Sequence, residues 1–220
     1  MSAMDWATLA SVATALGTLV LAVATFSAIR SANRSARVAE RGLLAGLRPV
    51  LMPTRQDDAT LKVNFGDGKW LDLPAGGAAA EVGGGDGTRG AADGVVYFGL
   101  PLRNAGNAIA VLHGWKFHPG WHRSEERPRP EDFRRQNRDL YVPTGDIGFW
   151  QAAFRDENDP QYTEARRTVE NYQPWTIELL YGDHEGVQRV VTRFTALPSG
   201  DERWIATSSR HWNIDRPDPR

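Results

Sequence analysis

From Trp6 to Ile29 the chain reads WATLASVATALGTLVLAVATFSAI, 24 residues without a charge between Asp5 and Arg30. As a helix rising about 1.5 Å per residue, this run is roughly 36 Å long and crosses a hydrocarbon core of about 30 Å with some tilt. It holds no proline and one glycine, Gly17. It also lacks the polar stripe that a water-facing helix needs. The pattern predicts a single membrane-spanning helix. A cleaved signal peptide would carry basic residues before a shorter apolar core, and none precede this one. A buried helix of a soluble bundle is the competing expectation.

Beyond Pro49, which is expected to end the helical stem, the period changes from helical to alternating. Val50–Met52, Leu61–Phe65 and Lys69–Leu73 read as strands, the last two joined through Gly66-Asp67-Gly68 as a hairpin. Residues 74–94, including Gly83-Gly84-Gly85, have too few apolar side chains to offset ordering and read as a flexible loop. In Val95–Leu102, alternation places Val96, Phe98, Leu100 and Leu102 on one face, and Pro101 predicts an edge strand or a bulge. Ala108–Phe117 is the next strand, His118–Arg138 a long polar loop, and Leu140–Val142 a short strand. Gly145–Arg155 is ambiguous between helix and strand. Asp159–Tyr172 reads as a short helix with Asp159 as N-cap and Pro160 at its first position. Trp175–Tyr181, Val187–Ala196 and Trp204–Trp212 close the chain as strands, with Ile177, Leu179 and Tyr181 facing inward. These elements predict a mainly β fold, an antiparallel β-sandwich with one short helix. The expected organisation is a tail and transmembrane helix (1–29), a basic juxtamembrane helix (30–48) and a β-sandwich domain (49–220).

Charge adds an orientation. Arg30, Arg34, Arg37, Arg41 and Arg48 against Glu40 make the stem +4, whereas the chain beyond it carries a net −4. Basic residues flanking a span stay in the cytoplasm, which predicts an outside N-terminus and a cytosolic domain at the plasma membrane. Arg30, Arg34, Arg37 and Arg41 fall on one helical face as candidate lipid-headgroup contacts. The acidic domain is a poor partner for nucleic acid. Ala13 and Gly17 form a small-residue pair that could let two helices approach as a homodimer. The 220 residues include no cysteine, which excludes disulfides, thiolate metal sites and a cysteine nucleophile.

Leu102-Arg103-Asn104-Ala105-Gly106-Asn107-Ala108 resembles the Leu-x-Asn-x-Gly-x-Gly-x-Ala turn of bacterial immunoglobulin-like domains, with Asn107 and Ile109 departing from the usual small residues. The basic stem, Gly145–Trp150, the hairpin from Leu180 to Phe194 and the Arg210–Asn213 ending resemble uncharacterised single-pass membrane proteins of GC-rich bacteria. That resemblance implies an immunoglobulin-like domain behind an N-terminal anchor, and brings no activity with it.

Candidate chemistry is sparse. Asp183, His184 and Glu185 share a turn, where neighbouring side chains point apart, so no metal is expected there. His113, His118 and His122 are spaced by five and four, and their convergence would be accidental. Ser208 and Ser209 beside His211 lack a nucleophile elbow. The expectation is a non-enzymatic interaction domain without cofactor or metal, binding the bilayer and a protein partner. The alternatives are a hydrolase built on Asp183, His184, Glu185 and His211, or a lipid-sensing module acting through the Arg stem. Among eight tryptophans, most are expected in the core. Trp121, Trp150 and His211 are the candidate partner contacts.

The arginine face generates a test. A peptide spanning Arg30–Leu47 is expected to bind vesicles containing anionic lipid and to ignore neutral ones, at about 1 kcal/mol per Arg. Raising salt to about 1 M, where the Debye length is about 3 Å, should release it. Flotation that finds no difference between the two vesicle types would reduce the arginines to a topology signal.

Overall fold

The computed structural model describes residues 3–83, 94–186, 188–200 and 203–217. It divides into two compact units, Met1–Gly46 and Leu47–Arg220. The first is one helix, α1 (Ala3–Gly46). Its stretch Asp5–Glu40 is long and apolar enough to cross a membrane, with none of that stretch buried. Gly42 does not interrupt it, and Pro49 lies just past its end. Hydroxyls along the span return to the backbone one turn earlier, as Thr14 Oγ1 does to Ala10 O at 2.9 Å and Thr18 Oγ1 to Thr14 O at 2.8 Å. Such bonds satisfy the hydroxyls within the helix itself.

The second unit is mainly antiparallel β. Its strands among the described residues are β1 (Leu51–Pro53), β2 (Leu61–Asn64), β3 (Trp70–Leu73), β4 (Gly77–Val82), β5 (Val96–Asn104), β6 (Ala110–Pro119), β7 (Arg134–Arg135), β8 (Tyr141–Val142), β9 (Ile147–Phe154), β10 (Trp175–Gly182), β11 (Val190–Ser199) and β12 (Arg203–Asn213). One helix, α2 (Tyr162–Glu170), joins them. Ten strands form one curled sheet in the order β1-β5-β4-β12-β11-β10-β6-β7, with β9 on β5 and β8 on β6, while β2 and β3 form a separate hairpin.

The curl depends on β4. Gly77 and Ala78 pair with Ile205 and Trp204 of β12, and Ala79–Val82 pair with Gly99–Val96 of β5. One short strand therefore serves two partners and turns the sheet back on itself. This strand lies inside the stretch expected to be a flexible loop. Its run of alanines carries little burial signal of its own, and its order comes from being laced on both sides. Residues 84–93 of that expected loop lie outside the described residues.

The alternation predicted for β5 is observed. Val96, Phe98, Leu100 and Leu102 point into the main core, where Phe98 meets Phe117 of β6 at 5.0 Å and Trp175 of β10 at 5.1 Å between ring centroids. Such offset and edge contacts add to the area term. Tyr97 points the other way, under the β2–β3 hairpin, with Phe65 at 4.8 Å and its hydroxyl donating to Asp67 at 2.8 Å. Pro101 does not mark an edge. β5 is paired on both flanks, and Pro101 falls in the gap where β4 gives way to β1 along one of them.

The turn after β5 explains the Asn-Ala-Gly signature. Asn104 is fully buried. Its Nδ2 donates to Ala108 O at 2.7 Å and Val142 O at 3.1 Å, and its Oδ1 accepts from Gly106 N at 3.0 Å and Val50 N at 3.3 Å. A Cβ on Gly106 would stand 2.2 Å from Arg48 O. The close pass of residues 48–50 therefore demands glycine.

Helix α2 starts later than expected. Gln161, not Asp159, is the N-cap residue. Asp159 instead accepts from the Gln161 N–H at 2.9 Å and pairs with Arg134. Gly145–Arg155 resolves as strand β9, because Trp150, Ala152 and Phe154 face the core at a period of two.

Leu179 has no exposed surface and lies between Ile177 and Tyr181 in the main core. Leu179→Asp is expected to abolish cooperative unfolding of the domain, because an isolated buried carboxylate costs several kcal/mol beyond the ~1.5–3 kcal/mol of lost apolar burial. Tryptophan fluorescence on thermal or urea titration reads this. An unchanged midpoint would contradict the packing described.

Candidate functional site

The outer face of the β6–β10–β11 layer carries a row of charge. Register sets Glu178 opposite Arg193 on one flank and opposite Lys116 on the other. Ile177 and Leu179 face the core, so Glu178 must face outward by alternation. It is nonetheless only 2 % exposed, because the chain between β6 and β7 covers it.

Arg193 organises that cover. Its Nε and Nη2 both donate to Glu178 Oε1, at 2.9 and 2.6 Å. Its Nη1 donates to Ser124 O at 2.7 Å and His122 O at 3.3 Å, and its guanidinium lies 4.8 Å from the Trp212 ring centroid. Thr176, two residues before Glu178, holds the same loop at a second point. Its Oγ1 donates to Gly120 O at 2.9 Å and accepts from the His122 N–H at 3.2 Å.

The result is a convergence of two histidines on one carboxylate. His118 shares its face of β6 with Lys116 and places Nε2 3.2 Å from Glu178 Oε2. The clamped loop returns His122 over His118, with ring centroids 3.8 Å apart and planes 8° from parallel. One ligand atom from each of His118, His122 and Glu178 lies within 4.8 Å of the others, the group of this kind found among the described residues. A groove of about 270 Å³ opens over them, edged by Lys116, Ser124, Arg127 and Arg129. Burial pushes the Glu178 carboxyl up, but hydrogen bonds from His118 and Arg193 outweigh it and hold the group below its ordinary range. Glu178 is therefore an acceptor, and His118 Nε2 carries the proton between them. Burial, then the neighbouring His118 and Arg193, holds the His122 ring below the usual histidine range.

The sequence did not single out Glu178, and treated meeting of His118 and His122 as accidental. Strand β6 runs to Pro119, which keeps His118 in register, and only the loop clamp brings His122 back. His113 does not join them. It sits near Gly182 with its Nε2 buried and lacking a hydrogen-bond partner, its pKa lowered first by burial and then by Arg189.

The other expected residues fall elsewhere. Trp150 is 1 % exposed, packed against Trp115 at 5.7 Å, so the expectation of a partner contact there is corrected: β9 turns it into the core. Trp121 is 52 % exposed, with the Arg123 guanidinium 4.2 Å from its ring centroid. His211 is half-buried. Its Nε2 faces Arg48 Nη2 at 2.8 Å and its Nδ1 faces Thr192 Oγ1 at 2.9 Å. Thr192 continues at 2.9 Å to the Tyr181 hydroxyl, which accepts from Leu51 N at 3.0 Å. Arg48 can only donate, so Nε2 accepts and the proton sits on Nδ1. This chain ties the entry of the domain to three strands, and aims the imidazole at Thr192 rather than at Ser208 or Ser209. Asp183 is buried, whereas His184 and Glu185 are exposed at the turn. Arg30, Arg34 and Arg37 are exposed along α1, as are Ala13 and Gly17, and the Arg41 side chain lies outside the description.

Removing one partner of the buried pair leaves the other charge stranded. Glu178→Ala is expected to cost about 3–5 kcal/mol in chemical denaturation, and Glu178→Leu with Arg193→Met to recover most of that. Because the folded pKa of Glu178 is depressed, its contribution is full above the unfolded value of about 4.3 and is lost as pH falls through the folded one. The gap between wild type and Glu178→Ala should therefore shrink on acidification below about pH 4. A single variant as stable as wild type would show that the pair is not structural.

No family model matches this chain, and neither a curated protein nor a solved structure does, so the site is read from its own chemistry.

Proposed function

We propose that this is a single-pass membrane protein that holds a non-enzymatic binding domain at the cytosolic face of the plasma membrane. The observation that carries the reading is helix α1. Its Asp5–Glu40 stretch buries none of its apolar surface against protein, and an apolar surface of that size requires another cover. The bilayer is the cover that matches its length. The arginines that follow the uncharged run set the orientation by the positive-inside rule. The headgroup contacts are Arg30, Arg34, Arg37 and Arg41, and Ala13 with Gly17 offers the surface for a second copy.

The domain is read as an immunoglobulin-like β-sandwich in which β4 is shared by both layers. Its binding face is the groove beside Glu178 together with Trp121, whose exposed ring is held by Arg123 on the same loop system. An exposed aromatic beside a polar groove is the composition of a contact surface. A hydrolase built on Asp183, His184, Glu185 and His211 has less support, since His211 is engaged by Arg48 and Thr192.

Fusions at Arg220 test the topology. Fluorescent protein is expected to be bright and alkaline phosphatase inactive. Active phosphatase with a dark fluorescent fusion would overturn the orientation, and a chain recovered in the soluble fraction would overturn the anchor.

A further inference from the structure

We propose that His118, His122 and Glu178 form a binding site for a transition-metal dication of the zinc type, with its open coordination position facing the groove. This goes beyond the tethering reading and does not rest on it, since metal binding in detergent is indifferent to how α1 is inserted.

Four observations lead there. The first is the donor set. Two imidazoles and one carboxylate, with no thiolate, suit zinc and its neighbours in the first transition row. The second is distance. With metal–ligand bonds of about 2.0–2.1 Å, adjacent ligand atoms of a tetrahedral site lie roughly 3.3 Å apart. His118 Nε2 and Glu178 Oε2 already stand at 3.2 Å, and the third donor is within 4.8 Å. The His122 ring, stacked 8° from parallel on His118, turns out of that stack to complete the set.

The third is the support behind the ligands. Ligating carboxylates are typically held by an outer hydrogen bond on the other oxygen. Arg193 does this to Oε1 and leaves Oε2 turned towards the histidines. The same guanidinium holds His122 O and Ser124 O, and Thr176 holds the His122 N–H. Both the strand ligand and the loop ligand are thus positioned before any metal arrives. The fourth is access. Three protein ligands leave a fourth position, and the groove above supplies about 270 Å³ for water or a ligand atom. Three protein ligands with an open place is the pattern of a site that takes up an outside ligand rather than of a closed structural one.

Binding replaces a proton by a metal. In the metal-free protein His118 Nε2–H donates to Glu178 Oε2. On coordination the Nε2 proton passes to solvent and the metal takes its place between the two groups, and Nδ1 carries the ring's remaining proton, drawn from solvent where that nitrogen was bare. No bond other than the coordinate ones is made, and no redox partner is needed.

The test uses the full chain, tag-free, in detergent micelles. Titration with Zn²⁺ by calorimetry, and with Co²⁺ by visible absorption, is expected to give one site per chain, with the intense bands of a four-coordinate cobalt centre. His122→Gln and His118→Gln are each expected to weaken binding by at least the roughly 10–100-fold that loss of even an outer-shell partner costs. Because His122 is on a loop, its variant should melt as wild type does, which separates lost ligation from lost folding. His184→Gln, at the exposed turn, should bind as wild type does. Absence of one-to-one binding by the wild type would overturn the proposal. So would binding that survives both His118→Gln and His122→Gln, or that is lost in His184→Gln.

Discussion

The buried ion pair between Arg193 and Glu178 holds the outer face of the domain together. Cross-strand neighbours of opposite charge are ordinary on a solvated sheet and contribute little. Here the chain from Gly120 to Arg135 lies over them and removes the water. Two desolvated charges repay that removal only if every remaining donor and acceptor finds a partner. The arrangement meets that condition closely. Arg193 gives two bonds to the carboxylate and two to loop carbonyls, and its face stacks on Trp212. Glu178 spends its second oxygen on His118. The loop is therefore shaped by the charge it covers, and its histidine is placed by the same bonds.

A second polar network lies where the chain enters the domain: Arg48, His211, Thr192 and Tyr181 link to the Leu51 N–H, while Asn104 satisfies Val50 and Gly106. Together they fix where the polypeptide enters the domain after Leu47. Buried polar groups of this kind specify one arrangement among many apolar ones, because each alternative would strand a donor or an acceptor. The aromatic core supplies the bulk of the stabilisation, and these networks select the register in which it packs.

The two networks differ in what they leave over. The entry network closes on itself, with both ring nitrogens of His211 engaged. The Glu178 cluster does not: His122 stacks on His118 without an imidazole hydrogen bond among those described, and the groove lies open beside both. Two imidazoles and a carboxylate here set three ligating groups around one point. That surplus of ligating capacity separates a site from a piece of scaffold.

The sequence by itself determined the elements whose signal is local. An uncharged run of 24 residues specified a helix long and apolar enough to cross a membrane, and strict alternation in Val96–Leu102 and Ile177–Tyr181 placed their inward faces correctly. The Gly-Asp-Gly hairpin and the Asn104–Gly106 turn carried their own chemistry. Tertiary structure decided everything that depends on a neighbour distant along the chain. Strand β4 exists because β5 and β12 flank it, not because alanines prefer a sheet. Trp150 is core because β9 pairs with β5. Pro101 is tolerated in a central strand because one flank changes partner there. The Glu178 cluster joins positions 118, 122, 176, 178 and 193, and no spacing rule connects them. Only pairing of β6, β10 and β11 sets His118 beside Glu178, and Arg193 together with Thr176 draws the loop of His122 back over it.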